Sequence, residues 1–234
     1  MGVALAAGLV GSTVVGARAL VRIKSDNTIQ VTGSAKRRIK SDLILWTAKV
    51  SSRSTQMSAA YKTLAASVPK VTAYLEKAGI PKAQIKVHSI TTKSLHPRDK
   101  EGRELEDVIT GYTMEQSIEV RSGDVEKVGQ ISREVTDLIN EGIELESDPP
   151  EYIYTKLGDL KIQMLAEAAK DSRTRAEQIA TSTGAKIGPL RQARMGVIQI
   201  NPADSTETSN EGNNDTSSLD KDIITVVAST FALE

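Results

Sequence analysis

Two histidines and a nearby aspartate are the side chains best suited to bind a metal or to transfer protons. His88 and His96 are the only histidines in the chain, and Asp99 follows them closely. Imidazole nitrogens and carboxylate oxygens bind Zn²⁺ in tetrahedral sites. No pattern around these three residues fixes such a geometry. We therefore interpret the histidines as a solvated pair and predict no metal site.

Acidic residues are concentrated just after His96. They are Asp99, Glu101, Glu104, Glu106 and Asp107. A catalytic acid–base pair needs two environments that separate the pKa values of its carboxylates, whereas a charged loop leaves them all solvated. The chain has no cysteine, which excludes thiol catalysis, disulfides and thiolate metal ligands. We predict that the protein is not an enzyme and has no catalytic residues.

Neither glycine spacing nor charge indicates a nucleotide or nucleic-acid ligand. The step from Gly33 to Lys36 lacks the spacing of a phosphate-binding loop. The chain has 30 basic and 30 acidic residues, whereas nucleic-acid binding depends on clustered positive charge. We interpret the basic run 36–40 as a solvated connection between strands. The sequence therefore predicts no cofactor and no nucleic-acid partner.

A long polar loop is predicted at residues 201–219, which are rich in Ser, Thr, Asn, Asp and Glu. Its carboxylates, together with the next acidic residue, are Asp204, Glu207, Glu211, Asp215 and Asp220. Calcium-binding loops of the EF-hand type need a fixed order of ligands with a glycine and a terminal glutamate, and that order is absent. We expect a mobile or solvent-facing loop, either a flexible linker or a segment ordered by a neighbouring subunit.

The N-terminal segment 1–24 is predicted to be a signal anchor. Residues 2–21 are apolar except for Ser12, Thr13 and Arg18. A helix of this length spans about 30 Å, the thickness of a bilayer's hydrocarbon core. The alternative is a cleaved signal peptide, because small residues flank Arg18 at the positions expected for cleavage near Ala19.

One face of the predicted anchor helix carries small residues at every fourth position: Ala4, Gly8, Ser12 and Gly16. Small residues allow transmembrane helices to approach closely, so this face is a candidate contact between subunits. The basic residues near the anchor, Arg18, Arg22 and Lys24, all follow the apolar run. By the positive-inside rule they favour a cytoplasmic main domain, in conflict with the exported location predicted below.

Residues 25–234 are predicted to form one α+β domain. Helical periodicity covers residues 57–78, 125–139 and 160–183, and the helices end at Gly79, Gly142 and Gly184. Pro69 predicts a kink or break in the first helix. Strands are predicted at 29–33, 42–53, 85–95, 108–121, 143–146, 152–155, 187–200 and 222–233. Neighbouring strands pair without intervening helices, so we expect largely antiparallel sheet with about three helices on one face.

Several short motifs occur in a characteristic order along this domain. They are Ile29-Gln30-Val31-Thr32-Gly33-Ser34-Ala35, Gly79-Ile80, Gly111-Tyr112, Ala169-Lys170-Asp171, Arg175-Ala176-Glu177, Ile179-Ala180 and Gly184-Ala185-Lys186-Ile187-Gly188. In this order and spacing the chain resembles the SIMPL-domain family, formerly classed as a domain of unknown function. The resemblance covers about residues 27–234.

The resemblance implies an exported or membrane-anchored envelope protein that forms a ring-like homo-oligomer, with a suggested role in stress tolerance. It brings no enzymatic activity and no catalytic residue. We interpret the motif glycines as structural, at turns and caps: Gly33, Gly79, Gly111, Gly184 and Gly188.

The leading functional hypothesis is a membrane-anchored extracytoplasmic protein whose partners are copies of itself. It contacts the membrane through residues 2–21. The alternative is a monomeric or dimeric module that binds a ligand or partner at the membrane. If the anchor is cleaved near Ala19, the protein is secreted instead.

Overall fold

The computed structural model describes residues 27–234, which fold into two antiparallel sheets and three helices. The α+β class, the antiparallel pairing and the three helices are thus confirmed. The predicted N-terminal helix, with Ala4, Gly8, Ser12 and Gly16, lies outside the described residues. Within residues 27–234, none of the helices combines the length and apolar character needed to cross a bilayer.

The elements follow one another in this order along the chain. They are β1 (Thr28–Lys40), β2 (Leu43–Ser54), α1 (Met57–Lys77), β3 (Ile85–Leu95), β4 (Gly111–Ser122), α2 (Val125–Glu134), β5 (Glu144–Ser147), β6 (Glu151–Ile153), α3 (Leu157–Ser182), β7 (Ile187–Met195), β8 (Gln199–Pro202) and β9 (Asp220–Leu233). Short 3₁₀ turns precede β3, at Lys82–Gln84, and follow α2, at Val135–Glu141.

The middle of the chain, residues 43–153, forms one sheet with two helices, here called the inserted half. Its strand order is β3-β4-β2-β5, and β6 also pairs with β2. The alternation in β2 turns every second side chain inward, among them Ile44, Trp46 and Val50. The buried faces of α1 and α2 cover this side of the sheet, giving one continuous apolar core.

The two ends of the chain form the second sheet with one helix, here called the terminal half. Strand β9 lies in the centre, with β1 on one side and β7 and β8 on the other. Helix α3 packs across β1 and β9 through small side chains such as Ala168, Ser172 and Ala176. Sequence patterns did not predict the division into two sheets, because β1 pairs with a strand almost 200 residues away and no local signal encodes that pairing.

Gly33 corrects one predicted boundary, since it lies inside β1 and not at a turn. A Cβ atom at this position would lie 2.2 Å from the carbonyl oxygen of Ala168 and 2.2 Å from the backbone nitrogen of Ser172. Glycine is needed because the backbone of α3 approaches the strand here. The strand therefore continues to Lys40, beyond the predicted end.

The other motif glycines divide into two groups. Gly79 and Gly184 have φ angles of 87° and 78° just after α1 and α3, as expected for residues that end helices. Gly111 begins β4. Gly188, in contrast, lies inside β7, so the predicted turn is wrong there too. Its missing Cβ leaves room for the side chains of Ala232 and Glu234.

Two further boundaries differ from the predictions. Helix α1 continues from Met57 to Lys77 through Pro69, so the predicted break is absent there. The segment predicted as a single strand at 187–200 is two strands, separated where Gly196 donates its N–H to the carbonyl of Val226.

Candidate functional site

The two histidines lie in the β3–β4 hairpin and contact different groups. His88 Nε2 is 3.2 Å from Glu119 Oε2, and His96 Nδ1 is 3.0 Å from the carbonyl oxygen of Val108. Among residues 27–234, no group of three or more His, Cys, Asp or Glu side chains is arranged to hold a metal ion. Each imidazole ring therefore forms its own contact within the hairpin, and the two rings share no partner.

Asp99 organises the tip of this hairpin. Its carboxylate accepts hydrogen bonds from the backbone N–H groups of Arg103 and Glu101 at 2.9 Å each, and from Arg103 Nε at 2.8 Å. These bonds, led by the backbone N–H of Arg103, hold the pKa of Asp99 below its ordinary value. The turn thus holds this carboxylate in its ionised form, and Asp99 in turn orders the tip of the hairpin.

The polar loop after β8 is tied closely to its own half of the molecule. Gln199 Nε2 donates to the carbonyl of Ser209 at 2.6 Å, and Asn201 Nδ2 donates to the carbonyl of Glu207 at 2.6 Å. Asn213 donates to Gln199 and Asn201 in turn. The expectation of a mobile linker, or of a loop ordered by a neighbouring subunit, is corrected: buried amides of β8 hold the loop. Its outer residues are solvent-facing, as predicted.

Asp222, near the start of β9, is the centre of a buried charge cluster. Its carboxylate is 1% exposed and accepts bonds from Arg38 Nε at 2.9 Å and from the Asp204 N–H at 2.8 Å. Lys36 Nζ lies 2.9 Å away. The bond from Arg38 is the main cause that lowers the pKa of Asp222 well below its ordinary value. The carboxylate therefore locks β1, β9 and the polar loop together.

Lys221 points to the opposite face of β9, beneath the start of α3. Its side chain is 2% exposed, and its Nζ donates to Asp215 Oδ2 at 2.9 Å and to the Asp215 carbonyl at 2.6 Å. Burial would raise the pKa of Asp215. Hydrogen bonds from Ser217 and Lys221 outweigh that effect, so the pKa lies well below its ordinary value.

A clamp between the two halves lies beside this buried pair. Asp42, between β1 and β2, accepts bonds from the backbone N–H of Thr155 at 2.7 Å and from its hydroxyl at 2.9 Å. The Asp42 N–H donates to the carbonyl of Ile153 at 3.0 Å. Burial acts to raise the pKa of Asp42, but the two bonds from Thr155 outweigh it and the net shift is downward.

Two cavities open at this junction. The inner one encloses about 250 Å³ between Ile39, Leu157 and Ile200, with Lys221 and Asp215 in its wall. The outer one encloses about 450 Å³ between β1 and the start of α3. Its lining includes four basic residues, Arg37, Arg38, Lys40 and Lys156. Two adjoining cavities with several converging polar groups make the junction a candidate functional site.

Sequence reasoning did not identify Lys221 or Asp222 as special. The signal available was a run of charges, Asp220-Lys221-Asp222, at the head of an otherwise β-branched strand. The alternation of side chains along a strand then requires adjacent residues to face opposite sides. The pattern does not show which segments bury each side of β9. Those segments are α3 and the polar loop, which come from other parts of the chain.

Comparison with known proteins identifies a family, but the function of that family is unknown. A family model described as "SIMPL: Protein of unknown function (DUF541)" matches residues 29–230. No curated protein matches the chain. A crystal structure of an uncharacterized conserved protein from Listeria innocua aligns over 85% of this chain and 92% of that chain. It has 10% identity and a TM-score of 0.17, too low to support a conclusion about this chain.

Proposed function

Since the chain belongs to the SIMPL (DUF541) family, whose function is unknown, we propose that it is a membrane-anchored extracytoplasmic protein that assembles with itself into a ring. The apolar segment 2–21 is the proposed anchor, and its small-residue face is the proposed contact between anchor helices. The physiological part of the proposal, a role in envelope stress tolerance, rests on family resemblance. It is tested by the growth of a deletion strain under envelope stress.

The observation that carries the proposal is a pair of exposed apolar side chains on the outer edge strand of the terminal half. Strand β7 is the last strand of its sheet on that side, and it exposes Leu190 by 52% and Met195 by 57%. These residues pair with Phe231 and Val227, which are buried. Exposed apolar side chains that continue a core beyond its covering helix are typical of association surfaces.

In the proposed ring this edge contacts an unlike surface of the next subunit. Such heterologous contacts generate a closed ring when the rotation between subunits closes, and an open filament otherwise. The edge is also irregular, because its register with β9 shifts twice between Ile187 and Gln192. Irregular edges resist indiscriminate strand pairing. This favours a packed contact of Leu190 and Met195 over a continuous intermolecular sheet.

The test is the mass of the full-length protein in mild detergent, measured by light scattering after size exclusion. We expect one discrete particle of many 25.1 kDa subunits. Replacing both Leu190 and Met195 by Lys is expected to reduce it to monomers. The matched control is Ile162→Lys, which changes a 71% exposed apolar residue of α3 and leaves the particle intact. A monomer or dimer for the unmodified protein contradicts the ring and favours the ligand-binding alternative.

Removal of residues 1–24 separates the anchor from the assembly. The shortened chain is expected to leave the membrane fraction and still to form the ring, if β7 provides the contact.

Because the chain lacks cysteine, a single Lys100→Cys variant in the exposed hairpin reports the side of the membrane. Labelling of intact cells by an impermeant maleimide supports the extracytoplasmic location, whereas labelling only after lysis contradicts it. An N-terminus found after Ala19 by mass spectrometry favours the secreted form.

A further inference from the structure

The two junction cavities share walls. Ile39 of β1 and Tyr154, just before α3, line both of them. The inner cavity is largely apolar, with side chains of Ile39, Leu157 and Ile200 around it. At about 30 Å³ for each water-sized group, its 250 Å³ has room for roughly eight such groups. This matches a short hydrocarbon or a small ring.

Lys221 gives the inner cavity a hydrogen-bond donor. Its ammonium group has three N–H bonds, and within residues 27–234 its two acceptors both belong to Asp215. One N–H of Lys221 is therefore without an acceptor among the described residues, and Lys221 lines the inner cavity. A buried ion pair gives little or no net stability relative to apolar residues of similar volume. Its location in a cavity wall points to a role in binding more than in folding.

The outer cavity is suited to a negative charge. Four basic residues line it, against a single carboxylate, Asp159. Lys40 pairs with Glu126 and Arg37 with Glu167, but these pairs lie at the surface and exchange at little cost in free energy. Lys156 is exposed and forms no ion pair with the described residues. A ligand anion thus finds one cation without a salt-bridge partner among the described residues, although its charge also acts on Asp42, and two cations that are weakly held.

We propose that this junction binds a small amphipathic anion. Its apolar body lies in the inner cavity between Ile39, Leu157 and Ile200, and its carboxylate or phosphate head lies in the outer cavity near Lys156. An uncharged oxygen on the body accepts the remaining N–H of Lys221. The site belongs to a single chain, so it requires neither the anchor nor the ring.

The test follows the methyl groups of isoleucine by NMR in the full-length protein, with octanoate as the probe. Octanoate is expected to shift the methyl signals of Ile39 and Ile200 and to saturate. Octylammonium, with the same chain and the opposite charge, is expected to leave them unchanged. 8-Hydroxyoctanoate is expected to bind more tightly than octanoate in the unmodified protein, and equally in Lys221→Met. Equal shifts by octanoate and octylammonium, or no shift up to millimolar octanoate, overturn the proposal.

Variants locate the two parts of the site. Lys156→Ala is expected to weaken octanoate binding about fivefold, the loss of one charged contact. Lys161→Ala removes an exposed lysine from the start of α3, outside both cavities, and is expected to have no effect. Leu157→Trp fills the inner cavity and is expected to abolish binding while the melting temperature shows that the protein is folded. Equal affinities for Lys156→Ala and Lys161→Ala contradict the assignment of the head group.

Discussion

The inserted half and the terminal half use different means to hold a helix on a sheet. The inserted half has one large apolar core, which includes the single tryptophan of the chain, Trp46, and its buried polar side chains are all serines. Its indole N–H is satisfied by Ser147 Oγ at 3.0 Å. The terminal half has two smaller apolar clusters, and its central strand buries polar side chains: Lys221, Asp222, Thr225 and Ser229.

Because of this difference, we expect the two halves to respond differently to substitutions in their cores. An aliphatic core gains free energy from buried area and accepts replacements of similar volume. The terminal half depends on close backbone approach and paired polar groups, where one misplaced atom leaves a donor or a charge unsatisfied. The two cores contain no common residue, so we expect the halves to unfold in separate steps. Trp46 fluorescence then reports the inserted half, and circular dichroism reports both.

The largest expected effect is that of Gly33→Ala. The new methyl group cannot fit 2.2 Å from the backbone of α3, so the helix must move away from β1. We expect a loss of about 3 kcal/mol in the free energy of unfolding, at the upper end for an overpacked site. Urea titration by circular dichroism should show this loss, while the Trp46 fluorescence transition stays in place.

Two variants serve as controls for that result. Gly158→Ala, at the start of α3, has no atom within 4 Å of the added carbon, and is expected to stabilise the helix by about 0.5 kcal/mol. Leu64→Ala creates a cavity in the inserted half and is expected to move the fluorescence transition by about 3 kcal/mol. If Gly33→Ala moves the fluorescence transition equally, the halves unfold as one unit and the comparison fails.

Acid should destabilise the terminal half first. The pKa values of Asp215 and Asp222 are lowered in the folded protein, so the unfolded chain binds more protons in acid. Their contribution is complete above the ordinary aspartate pKa of about 3.9 and is lost as pH falls through the folded pKa. In the inserted half the lowered carboxylates, Asp99 and Glu126, lie outside the core. Circular dichroism should therefore change at a higher pH than Trp46 fluorescence.

Asp222→Asn assigns this pH dependence to the cluster around Arg38. At pH 7 we expect a loss of about 2 kcal/mol, less than for a wholly buried pair because the Arg38 side chain is 50% exposed. The difference from the unmodified protein should begin to shrink below about pH 4, where Asp222 becomes protonated in the unfolded chain, and should go on shrinking as pH falls toward the lowered pKa of the folded protein. A difference that stays constant down to pH 2 is the result that contradicts the assignment.

The smallest effect is expected where α3 meets β9 through two hydroxyl groups. Ser172 Oγ lies 2.8 Å from Ser229 Oγ and also donates to the carbonyl of Ala169. Ser172→Ala leaves the buried Ser229 hydroxyl without this partner, at a cost of about 1 kcal/mol. Adding Ser229→Ala should cost little more, because no polar group is then left unpaired. Additive losses in urea titrations of the two single variants and the double variant would exclude the coupling.

Sequence periodicity predicted which segments are helices and which are strands. It predicted less accurately where these elements begin and end. The α1 stripe with Gly79 carries a local stop signal that the structure retains, whereas α2 ends early, at Glu134, and Gly142 closes the 3₁₀ turn that follows it. Gly33 is also a glycine, but it does not mark a turn. It is needed because the backbone of α3, 135 positions later, lies against the strand at this point. The polar composition of the loop after β8 predicted solvent exposure, but its anchoring by Gln199 and Asn201 depends on a strand pairing that composition does not encode.

By itself the sequence determined the helices, most strands, the apolar segment 2–21 and the absence of cysteine chemistry, because periodicity, caps and composition act over a few residues. Only the tertiary structure decided that the ends of the chain share one sheet, that Lys221 and Asp222 are both buried, and that two cavities meet at Tyr154. The burial of a charge depends on which distant segments cover it. That covering is set by packing across the whole chain, which no local pattern records.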